Sequence, residues 1–370
     1  MSVLLPKAAA LLLGFVIVEI LCRVFFWFDE SLHQTVNSSA AWRHAWIDRR
    51  DEGIAIYRPG IDAFDPLLGW RNRAGFRSAR PILGSREVST NANGARGRRE
   101  YTRERGDARR IVVIGDSFAF GWGVADGETY AARLEESLSR CEVVNLGVGG
   151  YGTDQMLLML ENDGLRYRPD LVIVGLVSAD TDRNLVSFRD FAKPHFVLDD
   201  GALRLKGTPV PAPETWVSRE PARLKSQDLV EIVVVAAEQQ TAWRQRRAER
   251  LTWMLWKRID RVARDAGART LFVFAPHAHE IGGDGPAAGE QLAVRFAAHE
   301  GVRLLNMGDE FRRRRRAGES FSDGHWGARE HGLIARAIRD RVHSEGLLPD
   351  PLHAGARNGE GGAQGVEAER

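Results

Sequence analysis

From Arg110 to His343 short apolar runs alternate with longer stretches of helical spacing, and this rhythm constrains the fold more than any other feature. Ile111–Ile114 (IVVI) is too short for a helix and wholly apolar, as a strand buried on both faces must be. Asp126–Arg140 then has helical spacing, Glu142–Leu146 reads as a second strand, Thr153–Leu165 as a second helix and Asp170–Val177 as a third strand. An insertion from Phe188 to about Pro221 contains FVLDDGALRL (Phe196–Leu205), where Asp-Gly between apolar flanks is a hairpin signal. A long helical stretch over about Ser226–Ala266 leads to a strand at Thr270–Ala275. A helix over 286–300, a strand at Arg303–Met307 and a last helix from about Trp326 to His343 complete the series. Strands separated by helices pair in parallel, and the helices cover both faces of the sheet. The expected class is α/β with a parallel sheet, without internal repeats.

The flanks differ. Ala8–Phe28 reads AAALLLGFVIVEILCRVFFWF, about the length that crosses a hydrocarbon core of roughly 30 Å. Its two charges, Glu19 and Arg23, stand four apart and face each other on a helix. Phe25, Phe26, Trp27 and Phe28 crowd its end like an interfacial belt. A cleaved signal peptide is one rival, but no small-x-small site follows the run. A buried core helix is the other. The expectation is an uncleaved, single-pass anchor over 1–30, with Lys7 on the cytoplasmic side and the remaining domain periplasmic or otherwise extracytoplasmic. Residues 31–108 lack sustained periodicity; Phe64–Gly75 and Thr90–Gly97 (TNANGARG) read as turns of a lead-in that packs on a main domain over 109–345. The Gly-, Ala- and Glu-rich end, 346–370, reads as a disordered tail. A formal charge of +2, from 52 basic and 50 acidic residues, gives no reason to expect a nucleic-acid partner. Cys22 and Cys141, the only cysteines, can build neither a disulfide framework nor a thiolate metal site.

Chemistry-bearing residues gather where the strands end. Gly115-Asp116-Ser117 follows the first strand directly, at the carboxyl edge where open α/β sheets bind ligands. A serine there also serves as a plain helix cap. Asn145-Leu-Gly-Val-Gly-Gly-Tyr-Gly152 follows the second strand, and its glycines let backbone N–H groups approach a ligand. Ser322-Asp323-Gly-His325-Trp326 precedes the last helix. A serine hydroxyl is a weak nucleophile until a base takes its proton, and the base needs a carboxylate to fix its tautomer. Ser117, His325 and Asp323 supply those three roles in order.

Together these blocks resemble the GDSL, or SGNH, hydrolase family over roughly Arg110–His343, and the lead-in with TNANGARG is similar to that of membrane-anchored bacterial members. The resemblance implies a flavodoxin-like three-layer α/β/α fold and a metal- and cofactor-free ester-cleaving site. Carried over by motif, Ser117 is the nucleophile and its N–H one oxyanion donor, Gly150 is the second donor (Gly149 in a shifted register), and His325 is the base. Two departures stand out. Where the family has Gly-x-Asn-Asp, this chain reads GLVSADTDRN over Gly175–Asn184, with Ala179 in place of the asparagine and Asp180 retained. Losing one oxyanion donor costs on the order of 10²–10³ in turnover, and Ser178 or Asn184 are the substitutes at hand. The terminal block is Asp-x-His, not Asp-x-x-His, similar to the Asp-x-His-Trp of bacterial polysaccharide O-acetylation proteins; Asp323 is assigned the carboxylate role and Asp116 a loop-bracing one.

The resemblance implies a serine esterase for O-acyl, chiefly O-acetyl, esters, with an acylated small molecule or an exported or cell-surface glycan as substrate. A glycan O-acetyltransferase would use the same triad, and Ala179 motivates an inactive glycan-binding reading. Gly147-Val-Gly-Gly-Tyr-Gly152 also fits a dinucleotide fingerprint, which needs an acidic residue about 20 positions on; Asp180 comes late. Arg312–Arg316 reads as a solvated or disordered run or a lipid-headgroup contact. His277-Ala-His279-Glu280 lacks a third metal ligand at suitable spacing and reads as pocket lining. Trp243, Trp253 and Trp256 read as packing residues, with sugar stacking the sharper alternative.

Overall fold

Five parallel strands form the central sheet of the computed structural model, which describes residues 4–28, 31–52, 54, 60–78, 87–104, 106–283 and 285–349. They are β1 (Arg109–Ile114), β2 (Cys141–Asn145), β3 (Leu171–Leu176), β4 (Arg269–Phe274) and β5 (Leu304–Asn306). Their spatial order is β5-β4-β3-β1-β2. That is the doubly wound flavodoxin-like order, in which the winding reverses between β1 and β3 and opens a crevice at the carboxyl edge.

Successive strand residues feed opposite cores. Val112, Ile114, Val172 and Val174 enter one, while Ile111, Val113, Leu171 and Ile173 enter the other. The helices used below are α1 (Leu4–Phe28), α2 (Tyr130–Ser137), α3 (Thr153–Asn162), α4 (Lys225–Gln239), α5 (Ala242–Asp265), α6 (Ala288–Glu300) and α7 (Ala328–Ser344). On the first face α3, α5 and α6 contribute Leu157, Leu255, Ile259 and Phe296. On the second, α2 and α7 contribute Leu134, Ile334 and Ile338. The result is the three-layer α/β/α arrangement expected.

Several local readings change. The helical stretch expected over about 226–266 is two helices, because Thr241 Oγ1 accepts from Arg244 N–H (3.4 Å) and starts α5 afresh. Arg312–Arg316 is neither disordered nor wholly solvated. It belongs to a helix, Gly308–Arg316, in which Arg312 forms a buried fork on Glu290 (2.6 and 2.7 Å) and Arg315 donates to the Ala278 carbonyl (2.9 Å). The hairpin in the insertion pairs His195–Asp199 with Ala202–Lys206, with Asp200 and Gly201 both at positive φ.

The lead-in contains a helix, Ser39–Asp48, that the sequence pattern did not show; Ser38 Oγ caps it by accepting from Ala41 N–H (3.1 Å). Its Trp46 packs on Phe191, centroids 4.9 Å apart, inside the first core. An antiparallel pair, Asp62–Asp65 with Gly69–Asn72, turns on Asp65 Oδ1, which accepts from Leu67 and Leu68 N–H (2.8 and 2.9 Å). From this pair Trp70 Nε1 donates to the Gly149 carbonyl (3.0 Å) and Asn72 Nδ2 to that of Gly147 (2.9 Å). The lead-in thus braces the glycine loop after β2. Residues 350–370, most of the expected tail, lie outside the described residues.

Helix α1 carries an apolar stretch, Lys7–Trp27, of 21 residues with mean hydropathy 2.4, long enough to be a membrane span or a signal sequence. Glu19 within it is not idle. Its carboxylate accepts from Lys225 N–H (2.8 Å) and Ser226 N–H (3.0 Å), the first turn of α4. Arg23 donates to the Arg223 carbonyl (2.9 Å), and Cys22 and Phe26 are buried.

Candidate active site

Chain reversal at the end of β1 places the serine. Gly115 sits where a Cβ would lie 2.4 Å from that of Ala119, so only glycine lets the next turn fold back this tightly. Asp116 caps the short helix Ser117–Phe120, its Oδ1 accepting from Phe118 N–H (2.9 Å). Its Oδ2 accepts from Arg183 Nη1 (2.6 Å), which makes Asp116 a loop brace. Asn145, at the end of β2, donates from Nδ2 to the Ala119 carbonyl (2.8 Å) and accepts from Gly147 N–H (3.0 Å). A Cβ on Gly147 would meet Phe120 N at 2.4 Å. These glycines pack the loop against the serine turn, and that is the structural use of the stretch resembling a dinucleotide fingerprint.

Ser117 and His325 are brought together. The imidazole Nε2 lies 2.8 Å from Ser117 Oγ across 208 residues of sequence. Gly324, with φ +87°, makes the turn that presents His325. The ring lies against Phe118, centroids 4.6 Å apart, and Trp326 beside it donates Nε1–H to the Pro276 carbonyl (3.2 Å). Glu330 accepts from Gly327 N–H (2.9 Å) and fixes the start of α7 just after the histidine. Gly150, at φ +79°, shares a cavity of about 410 Å³ with Ser117, His325, Arg183 and His277.

Asp323 is not brought in. It is exposed, and among the described residues no hydrogen bond or ion pair joins its carboxylate to His325. Ser322, Asp323 and Gly324 are all exposed, while His325 is half-buried. The two suggested substitutes for the missing asparagine also lie elsewhere. Asn184 is spent on α5 and α3: Nδ2 donates to Thr252 Oγ1 (2.8 Å), and Oδ1 accepts from Asp154 N–H (3.2 Å). Ser178 packs against Gly289 at the edge of a separate cavity, its hydroxyl sealed from solvent.

Below the cavity, Arg183 joins Asp116 to Asp180 (3.0 Å) in a buried cluster. Burial, with the Asp116 charge, pushes the Asp180 carboxyl well above the usual carboxylate range. His277, edge-on to Phe118 at 4.4 Å, has its pKa lowered by burial and therefore tends to stay neutral. His277 reaches the pocket as read from the sequence, and among the described residues no cluster of three or more His, Cys, Asp or Glu suits a metal ion. Arg183, Arg189 and Asp190 also line the cavity and were missed by motif reading; the one sequence clue was Arg183 standing three residues after Asp180, on the same face of a helical turn.

A serine hydroxyl in contact with an imidazole at the carboxyl edge of a doubly wound sheet marks the chain as a serine ester hydrolase. It belongs to the GDSL-like lipase/acylhydrolase family, whose model matches residues 113–343. No curated protein sequence matches the chain. Among solved structures, a lipolytic G-D-S-L family protein from Veillonella parvula DSM 2008 is similar at 14% identity, covering 63% of this chain and 97% of that one with TM-score 0.40. An acetylxylan esterase from Geobacillus stearothermophilus, as a catalytic mutant, is 13% identical, covering 64% and 95% with TM-score 0.38. The esterase EstA from Pseudoalteromonas sp. is 13% identical, covering 64% and 98% with TM-score 0.37. At these scores the likenesses add no weight of their own, and the family rests on the match over 113–343.

Proposed function

We propose that the chain cleaves O-acyl esters, chiefly O-acetyl esters, with Ser117 as nucleophile and His325 as general base. The observation that carries this is the 2.8 Å contact between Nε2 and Oγ, within the reach that general-base catalysis needs. His325 takes the Ser117 proton as Oγ attacks the ester carbonyl, and the carbonyl electron pair moves to oxygen. Backbone N–H groups of Ser117 and Gly150 receive that oxyanion. Collapse expels the alcohol, which leaves with the proton from His325, and water repeats the sequence on the acyl-enzyme. A fluorophosphonate serine probe is expected to label the wild-type protein and not Ser117→Ala or His325→Ala. Equal labelling of all three would end the proposal. The same contact weighs against an inactive binding role. Hydrolase and transferase share these steps until the acyl-enzyme, and supplying an oligosaccharide acceptor separates them by product.

Asp323 stays in the proposal only as a carboxylate that loop movement would have to deliver. With the placement described, Asp323→Asn is expected to lower kcat on an aryl acetate by no more than about tenfold. A true third triad member costs on the order of 10⁴, so a loss of that size would restore Asp323 to the triad.

The proposed location is the membrane, with α1 kept as an anchor and the catalytic domain on the periplasmic or extracytoplasmic side. A cleaved signal sequence has no reason to be built into the fold, whereas Glu19 caps α4 and Phe26 is buried against Ile232. A tethered site at that surface meets acylated exported or cell-surface glycans, the substrate class proposed. Intact mass of the membrane-extracted protein is expected to include the α1 residues; a chain beginning after Phe28 would show removal.

A further inference from the structure

We propose that Arg183 supplies the third oxyanion donor, through its Nη2–H, in place of the side-chain amide absent at Ala179. This rests on the hydrolase reading above. The guanidinium is placed by three acceptors on one nitrogen: Nη1 donates to Asp116 Oδ2 (2.6 Å), Asp180 Oδ1 (3.0 Å) and the Tyr151 carbonyl (3.2 Å). Asp116 immediately precedes Ser117 and Tyr151 immediately follows Gly150. The guanidinium therefore spans the two segments that carry the proposed backbone donors.

Its other nitrogens differ from each other. Nε is sealed from solvent and makes no hydrogen bond. Among the described residues Nη2 makes none either, yet it is not sealed, and Arg183 lines the cavity over Ser117. An open N–H pair on a clamped cation that lines the nucleophile's cavity is what a developing oxyanion requires. Burial opposes the charge, but the acidic groups around it, Asp116 first among them and then Asp180 and Asp190, outweigh burial and raise the guanidinium's pKa. The alternatives are closed: Asn184 is spent at both ends, and the Ser178 hydroxyl is sealed from solvent beside another cavity.

Arg183→Lys tests the assignment, since an ammonium can keep the Asp116 pair but has no rigid fork to reach the oxyanion as well. With the full-length protein, kcat on an aryl acetate is expected to fall by about 10²–10³, with KM changing little. Affinity for an aryl boronic acid that adds reversibly to Ser117 is expected to fall by a similar factor. Ala179→Asn added to Arg183→Lys is expected to recover part of the lost rate, which repair of a merely structural defect would not do. If Arg183→Lys fails to fold, Arg183→Met with Asp116→Asn and Asp180→Asn removes the buried cation with both of its carboxylates, keeps the cap and carries the same comparison. Unchanged kcat and boronate affinity in a folded variant would overturn the inference while leaving the hydrolase reading intact. A wild-type protein inert to esters and unlabelled at Ser117 would overturn both.

Discussion

Alanine at Ser117 is expected to lower kcat on an aryl acetate by on the order of 10⁵–10⁶-fold while leaving the folded state nearly as stable as before. The catalytic loss is large because hydroxyl and imidazole act as one unit: without Oγ there is no acyl-enzyme, and His325 has no proton to take. For the same reason the effects are non-additive, and Ser117→Ala combined with His325→Ala is expected to be scarcely worse than either alone. The stability effect is small because Oγ gives up one hydrogen bond, to His325, worth about 0.5–1.5 kcal/mol net. Asp116, not Ser117, holds the turn, by capping Phe118 and pairing with Arg183. Backbone donors survive the substitution, so a residual rate above the uncatalysed one is expected. Thermal melting and initial rates on the two single variants and the double check these points together. A Ser117→Ala protein that kept a tenth of wild-type kcat would place the nucleophile elsewhere.

What the chain shows in its letters is what depends on short-range pattern. Ile111–Ile114 and Leu171–Leu176 are continuous apolar runs because both faces of those strands are covered, and that burial is written directly into residue type. Ser117, the Asn145–Gly152 segment and His325 are legible because their backbone turns demand glycine and their chemistry demands particular side chains at particular offsets. Legibility fails where a long-range partner decides. The helix Ser39–Asp48 has little periodicity of its own, and its Trp42 and Trp46 are fixed by a core assembled from residues over a hundred positions later. Arg312 looks like one of five solvated arginines until Glu290 is placed beneath it. Arg183 stands in a polar stretch where only its spacing from Asp180 hints at a role, and the fold shows it buried between Asp116 and Asp180. Asp323 is the converse case. Its position two before the histidine fits a motif, but its side chain is exposed while the imidazole is half-buried against Phe118.

Lys193→Met is expected to be the most destabilising single substitution in the domain's polar interior, by about 3–5 kcal/mol. Lys193 and Asp154 form an ion pair whose side chains are both wholly buried. Burial lowers the lysine's pKa and raises the aspartate's, and the attraction between the two opposes both shifts. The ammonium also donates to the carbonyls of Val186 (3.3 Å) and Arg183 (3.4 Å), joining the insertion to the loop under the cavity. Methionine fills much of the volume but strands the Asp154 carboxylate in the first turn of α3, where Gln155 N–H still donates to it at 2.8 Å. For a domain of this size the loss corresponds to a fall in melting temperature on the order of 10 °C. Adding Asp154→Asn removes the stranded charge, and the double variant is expected to recover at least half of the loss, because breaking a buried pair costs more than deleting it. Catalysis is expected to respond as well: releasing the Arg183 carbonyl loosens the residue that we propose faces the oxyanion, so kcat should fall in folded Lys193→Met at temperatures well below its melting point. A Lys193→Met protein that melts within a degree or two of wild type would mean that the Asp154 carboxylate is protonated already and that no ion pair ties the insertion to the floor of the site.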